Sequence, residues 1–351
     1  MGYGHGGDIY TYKDMLDFSV NVNPLGPSQA VLEAAKRGVD KCFAYPDSRC
    51  GTLRKALSEK LGIPPEFILP GNGAADLFFT LAAAEKPKRA LIPVPAFSEY
   101  VRALSMVNCE VRYYQMEAKE NFRLTERFLE ELTEDIDMVF LCSPSNPAGQ
   151  LIPEELLLSI IRQCGKKNIR LVLDECFIEF ADQEKVVYAE KEVQEFPWLF
   201  VVRAFTKMHA IPGLRLGYAV TSDIELIRRL CRACQPWNVS IPAQEAGIAA
   251  LSEAEEYKAE NTREVIRIER MWLEEKLKRM EIRAIPSEAN YILMYSRTDL
   301  AEGLKEKNIL IRDCENYRGL GKGWYRIAVR LHRENRLLVE ALEQIFERRT
   351  E

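Results

Sequence analysis

The sequence predicts an α/β protein built around a mostly parallel sheet, with a smaller α+β unit toward its carboxyl end. Three observations lead there. Apolar runs of strand length lie at residues 90–94, 138–142, 169–173 and 199–202. Residues 153–166, between two of these runs, have a helical pattern and supply the crossover that parallel strands require. After each run the chain turns and presents a chemically distinctive residue: Phe97, Asn146, Asp174 or Lys207. Open α/β sheets bind ligands outside the carboxyl ends of their strands, so the stretches that predict the sheet also predict a site.

Residues 199–218, LFVVRAFTKMHAIPGLRLGY, are the densest of these stretches. Lys207 falls just past the apolar run, and Gly213 and Gly217 permit close backbone approach beside Arg215. Lysine forms Schiff bases with carbonyl cofactors, while Thr206 and Arg215 offer a hydroxyl and a guanidinium to a phosphate. A lysine taken alone is usually solvated. Its neighbours make this one a candidate.

The chain has 351 residues, 47% of them hydrophobic. That is ample for a large core and about two domains. A net charge of −5 with both signs interspersed leaves no footprint for nucleic acid or an anionic membrane, so the expected partner is a small molecule. No apolar run approaches the ~20 residues of a membrane span, and the amino terminus lacks a signal-peptide pattern, so a cytoplasmic location is expected. Nine cysteines, an odd number scattered through apolar segments, fit reduced buried thiols. Cys231 and Cys234 form a CxxC with no second pair in an arginine-rich helical pattern, which reads as helix packing and not as a metal site.

From the amino terminus, residues 2–8 carry YGHGGD among glycines and read as an arm. Residues 17–27, DFSVNVNPLGP, form an extended stretch whose asparagines and Gly26 suit backbone recognition of a ligand, either as connector or as lid. Helical segments over 29–41 and 52–61 flank Tyr45, which the following proline holds extended so that its hydroxyl projects. Residues 70–84, PGNGAADLFFTLAAA, turn through glycine directly into an apolar helix, the local geometry of an anion site. Phe97 either stacks on a planar ligand or fills core. Asn146 sits in the rigid turn SPSNPAG. The run at 169–173 ends in Asp174 and Glu175, and an acid at the end of a buried strand needs a partner, which a cationic ring nitrogen would supply. Past residue 240, two helices cover 240–279, short strands alternate over 282–295, 309–312 and 324–329, and a helix over 334–348 closes the chain. Arg312, Arg326 and Arg330 lie on or beside these strands, and each taken singly reads as a solvated face.

In order, the GNG turn, Asn146 in SPSNPAG, Asp174 in LVLDECF and TK followed by PGLRLGY resemble the fold-type-I pyridoxal-phosphate enzymes, the aspartate aminotransferase (class I/II) superfamily. The resemblance covers nearly the whole chain. Within it, HGGD, DFSVNVNPLGP, PAFSEY, FLCSPSNPAG, AIPGLRLGY, ILIRDC and YRIAVR are similar to L-threonine-O-3-phosphate decarboxylases and, less closely, to histidinol-phosphate aminotransferases.

This resemblance implies an arm and lid segment over residues 1–30, a large domain over 31–240 with a mostly parallel seven-stranded sheet flanked by helices, and a small α+β domain over 241–351. It implies pyridoxal 5′-phosphate, no metal, and a homodimer with shared active sites. Lys207 would be the Schiff-base lysine and Asp174 the partner of the pyridine nitrogen. Phe97 would stack on the ring and Asn146 bond its oxygen. The cofactor phosphate would sit at Gly73, Ala74 and Ala75 with Thr206 and Arg215, and Tyr45 would reach it from a second subunit. Phe177 stands where aminotransferases usually carry a tyrosine hydroxyl, as the decarboxylases also have it, and Ala204 replaces a frequent serine or threonine. Arg326 would grip the substrate carboxylate, with Gly26 in the lid segment and His5, Arg312 and Arg330 as candidates for a substrate phosphate. The expected reaction is decarboxylation of a phosphorylated amino acid, L-threonine O-3-phosphate to aminopropanol phosphate, in cobalamin biosynthesis. The alternative is an aminotransferase such as that for histidinol phosphate. A non-catalytic, cofactor-binding regulatory module is disfavoured by the retained Lys207 and the lack of a fused helix-turn-helix.

Overall fold

The computed structural model describes residues 6–347. A two-residue strand, β1 (Leu16–Asp17), precedes α1 (Gln29–Val39) and α2 (Gly51–Leu61). The chain then forms β2 (Ile68–Gly71), α3 (Ala74–Glu85), β3 (Arg89–Val94), α4 (Ser98–Ser105) and β4 (Glu110–Gln115). There follow β5 (Met138–Cys142), α5 (Glu154–Lys166), β6 (Arg170–Asp174), β7 (Leu199–Ala204), the single-turn α6 (Phe205–Met208) and β8 (Gly217–Val220). Strands β2 to β8 make one seven-stranded sheet in the order β2-β8-β7-β6-β5-β3-β4. Its pairings are parallel except at β8, which runs against both β2 and β7.

The central strands read as unbroken apolar runs because helices cover both faces of the sheet. Leu141, Leu173 and Val201 pack on one side with Leu157 and Ile161 of α5. Phe140, Val172 and Phe200 pack on the other with Phe78 of α3 and Tyr100 of α4. The register sets Cys142 opposite Asp174 and Asp174 opposite Val202. The carboxyl ends of β5, β6 and β7 are therefore level, and whatever follows them gathers along one edge.

The chain continues through α7 (Ile224–Ala233), α8 (Ile241–Ala250) and the 27-residue α9 (Glu253–Arg279). Then come β9 (Arg283–Ala284), β10 (Tyr291–Tyr295), α10 (Leu300–Lys305), β11 (Ile309–Leu310), β12 (Arg312–Asp313), β13 (Trp324–Ala328) and α11 (His332–Glu347). A second, antiparallel sheet has the order β12-β13-β10-β9. The expected strand over 309–312 is two pieces: β11 pairs with β1, and β12 with β13. The break at Ile311 lets one segment join the amino-terminal stretch to the second sheet.

Two expectations need correction. Buried thiols hold for Cys50, Cys164, Cys176 and Cys314, but Cys42 and Cys231 are exposed; all nine cysteines are free. The strand expected at 169–173 is shifted by one residue and ends on Asp174 itself. Among the described residues, no helix is long and apolar enough to cross a membrane.

The extended stretch after β1 is pinned at both ends. Phe18 offers its carbonyl to the Ala328 amide at 2.9 Å. Asn23 is buried, and its amide nitrogen donates to the Met208 carbonyl at 2.8 Å and to Thr262 Oγ1 at 3.1 Å, while its backbone N–H donates to the Lys207 carbonyl at 3.1 Å. One side chain thus ties the amino-terminal segment, α6 and α9 together. Asn23→Ala leaves a buried carbonyl without its donor, and such a loss costs about 1–3 kcal/mol. A lowered midpoint in thermal unfolding is the expected result, and an unchanged one would show that water replaces the amide.

Candidate active site

Strand β7 runs straight into α6, which sets Lys207 half-buried at the sheet edge. Its Nζ lies 5.4 Å from the centroid of the Phe177 ring. Burial, with Arg326 and Arg215 adding repulsion, pushes the pKa of Lys207 down to about 8; Cys176 and Asp174 oppose that shift.

Asp174 is buried at the end of β6. Its Oδ1 accepts the Cys176 N–H at 2.9 Å, and its Oδ2 accepts the Tyr100 hydroxyl at 2.5 Å. Burial raises its pKa, while the Cys176 and Tyr100 hydrogen bonds and the charge of Lys207 hold it down. The neighbouring Glu175 takes Arg203 at 2.8 Å and the Ala189 N–H at 3.2 Å. The acidic pair in the sequence thus divides between two sets of partners, one in the cleft and one structural.

An anion cradle forms where α3 begins. Gly73 caps this helix at φ +86°, and a Cβ there would lie 2.4 Å from Arg215 Nη2. A Cβ on Gly217 would lie 2.8 Å from the Arg203 carbonyl oxygen and 2.9 Å from the Ala74 nitrogen, so only glycine lets β8 pass so close. The Arg215 guanidinium therefore rests at the unpaired amides of a twelve-residue helix, where positive charge and helix dipole add. Thr206 is buried one residue before Lys207.

Arg326, on β13, is buried, donating to Asn146 Oδ1 at 2.6 Å and to the Ser19 carbonyl at 3.0 Å. Its Nε is buried without a partner among the described residues. The guanidinium lies 5.4 Å from the Tyr291 ring, whose hydroxyl donates to the Ser145 carbonyl at 2.8 Å. Two residues singled out separately in the sequence, Asn146 and Arg326, are thus in direct contact, and they are held by others that were not singled out.

The remaining candidates are distributed unevenly. Arg312 donates to Asn316 Oδ1 at 2.8 Å and borders a cavity of about 300 Å³ that Phe97, Tyr113 and Arg318 also line. Arg330 is engaged, with Nε and Nη2 on Glu334 at 2.8 and 2.6 Å and Nη1 on the Asp17 carbonyl at 3.0 Å. Gly26, at φ +70°, gives its carbonyl to Lys258 at 3.0 Å. Tyr45 is 78% exposed and stacks on Trp237 at 4.5 Å, away from its own chain's core. His5 lies outside the described residues. The glycines after it do not: Gly7 donates to Ser19 Oγ at 2.7 Å, and a Cβ on Gly6 would come within 2.4 Å of the Ser19 carbonyl oxygen, the one that holds Arg326.

Sequence reasoning missed Tyr100, Tyr291 and Ser19, and it read Asn23 as suited to a ligand where the structure uses it to hold Met208 and Thr262. Tyr100 had a signal, its one-turn spacing from Phe97 in PAFSEY. The others act across long separations and leave no local pattern.

A lysine at a level strand end, an acid opposite, a guanidinium on a helix terminus and a second one held by asparagine define a class, the fold-type-I pyridoxal-phosphate enzymes. The chain belongs to the aminotransferase class I and II family, whose model matches residues 13–344. It is 38% identical to threonine-phosphate decarboxylase of Salmonella typhimurium, over 97% of this chain and 96% of that protein. Among solved structures it is similar to the histidinol-phosphate aminotransferase from Clostridium acetobutylicum, with a TM-score of 0.88 and 28% identity over 95% of this chain and 100% of that one. It is similar also to the L-threonine-O-3-phosphate decarboxylase from Porphyromonas gingivalis, with a TM-score of 0.83 and 26% identity over 95% and 100% of the two chains. The expected fold and family are both found, and the family depends on pyridoxal phosphate.

An amine that loses its proton near pH 8 is a nucleophile close to neutrality. With cofactor-free protein, the rate of pyridoxal-phosphate attachment should rise with pH and level off just above 8. Stopped-flow absorbance reads this directly. An inflection near the ordinary lysine value of about 10.4 would place the amine in water.

Proposed function

We propose that this chain decarboxylates a phosphorylated amino acid, L-threonine O-3-phosphate, to give carbon dioxide and aminopropanol phosphate, as a cytoplasmic homodimer serving cobalamin biosynthesis. One observation carries the reading. Arg326 is buried beside Asn146 on the second sheet, with its Nε unpartnered among the described residues, while Arg215 lies at Gly73, where α3 begins. A substrate with a carboxylate and a phosphate needs anchors separate from the one that holds the cofactor phosphate. Arg312, at its cavity, supplies the other. The 38% identity to the Salmonella decarboxylase over nearly the full length supports the same choice.

Pyridoxal phosphate fits the residues present. Its phosphate would be held by Gly73, Ala74 and Ala75 with Thr206 and Arg215, Phe97 would cover the ring, and Asp174 and Asn146 would pair with the ring nitrogen and the ring oxygen. When bound, the cofactor supplies the electron sink for the bond broken at the substrate α-carbon. The residues of the chain choose that bond. Arg326, whose guanidinium Asn146 and Ser19 already hold in place, grips the carboxylate, which fixes how the α-carbon is turned. Lys207, with its pKa near 8, gives and takes a proton at near-neutral pH. Phe177 offers no hydroxyl, so Asn146 is the ring-oxygen donor. Gly6 and Gly7 let the arm lie on Ser19, where it excludes water from Arg326. To reach an anion Arg330 would have to leave the Glu334 carboxylate, whereas Arg312 would exchange a bond to the neutral Asn316 amide. In the dimer, the exposed Tyr45 reaches the cofactor phosphate of the other subunit. We divide the chain into the arm and lid at 1–30, a large domain at 31–240 and a small one at 241–351.

The likeness to the Clostridium aminotransferase favours a second reading, transamination of histidinol phosphate. Incubation with threonine phosphate should release carbon dioxide and aminopropanol phosphate, and a parallel assay with histidinol phosphate and 2-oxoglutarate should stay near background. Turnover only in the second assay overturns the decarboxylase reading. Arg326→Ala strips a buried anion of its partner, which costs about 2–5 kcal/mol, or about 30- to several-thousand-fold in kcat/KM. Kinetics close to the unmodified enzyme would return Arg326 to a structural role.

A further inference from the structure

Tyr100 is completely buried, and its hydroxyl makes the shorter of the two hydrogen bonds to the Asp174 carboxylate, 2.5 Å against 2.9 Å from the Cys176 amide. Nothing in the reading above uses it. The ring is held on several sides, stacked on Phe140 at 5.1 Å and edge-on to Phe78 at 5.0 Å and to Phe97 at 5.7 Å. Phe97 caps α4 and Tyr100 lies in its first turn, so one turn of helix presents both an aromatic face to the cleft and a donor to the acid beside it.

The chemistry of that donor is constrained. Burial, reinforced by Asp174 and Cys142, pushes the phenol well above its ordinary range, so Tyr100 keeps its proton and donates. The thiols of Cys142 and Cys176, which also face Asp174, are likewise pushed up by burial and stay neutral. Lys207 is the cation among the groups that act most strongly on Asp174. Burial favours the protonated acid, whereas hydrogen bonds donated to a carboxylate favour its ionised form. Tyr100 supplies such a bond without adding charge.

We propose that Tyr100 is a positioning residue for the cofactor: its hydroxyl keeps the Asp174 carboxylate ionised and aimed at the ring nitrogen. This rests on the reading of Asp174 as the partner of that nitrogen. Tyr100→Phe keeps the ring and its packing and removes only the donor. A hydrogen bond to a charged group is worth about 1.5–3 kcal/mol, so the dissociation constant of pyridoxal phosphate should rise about 10- to 100-fold. The carboxylate of the variant takes up a proton at higher pH, so as pH falls its cofactor affinity should be lost earlier than in the unmodified protein. In turnover, kcat should fall while KM changes little.

The decisive measurement is cofactor affinity, by fluorescence titration, for Tyr100→Phe, Asp174→Asn and the double variant. If Tyr100 acts through the Asp174 charge, its substitution should change affinity less than about twofold in the Asp174→Asn background. An equal loss in both backgrounds would make Tyr100 a packing residue and overturn the proposal. So would an undamaged Tyr100→Phe beside a damaged Asp174→Asn. An undamaged Asp174→Asn would instead remove the assignment of Asp174, and the proposal with it.

Discussion

Lys207, Arg215 and Arg326 repel one another, and the fold nevertheless brings them to one cleft. That repulsion is the constraint on which the rest of the site depends. It needs rigid supports, because cations free to move would separate into solvent. It also makes the site selective for anions, since a ligand carrying negative charge at more than one point relieves an unfavourable arrangement. The lowered pKa of Lys207 is one expression of the same field. The acid among them, Asp174, is buried away from competing water and is held by Tyr100 and the Cys176 amide.

The supports come from distant parts of the chain. Lys207 is fixed through the carbonyl ends of its short helix, where Asn23 binds Lys207 and Met208. Arg215 is fixed by backbone shape, its own φ of +57° and the glycines at 73 and 217 that admit it to the start of α3. Arg326 is fixed by Asn146 from the first sheet and Ser19 from the amino-terminal stretch. Three segments therefore converge on one guanidinium, and the glycine pair of the arm rests on the same Ser19. Small displacements of any one of them are transmitted to Arg326.

The fold was legible where strands are buried on both faces. Residues 138–142 form a strand with those bounds, because an all-apolar run at that length has few alternatives. Strands β4 and β8 were not legible as runs. The first, EVRYYQ, is at the sheet edge, exposed at both ends and half-buried between, so it lacks an apolar signature; the second, GYAV, is only four residues long. The split between β11 and β12 was hidden for another reason, since ILIR reads as one strand and only pairing with β1 and β13 divides it.

By itself the sequence determined the residue types that end each strand and their order: an aromatic at 97, an amide at 146, an acid at 174 and a lysine at 207. Those are local facts, set by apolar runs and the turns after them. Which acid faces the cleft was not local, because Asp174 and Glu175 are adjacent and differ only in what packs around each, Tyr100 in one case and Arg203 in the other. Nor was the standing of the arginines. Arg326 and Arg330 sit four apart in one stretch, yet one has a buried N–H without a partner among the described residues and the other is closed by Glu334. Hydrogen-bond partners far off in the chain decide whether a charged group is spent on the fold or left available to a ligand, and only the tertiary structure brings those partners together.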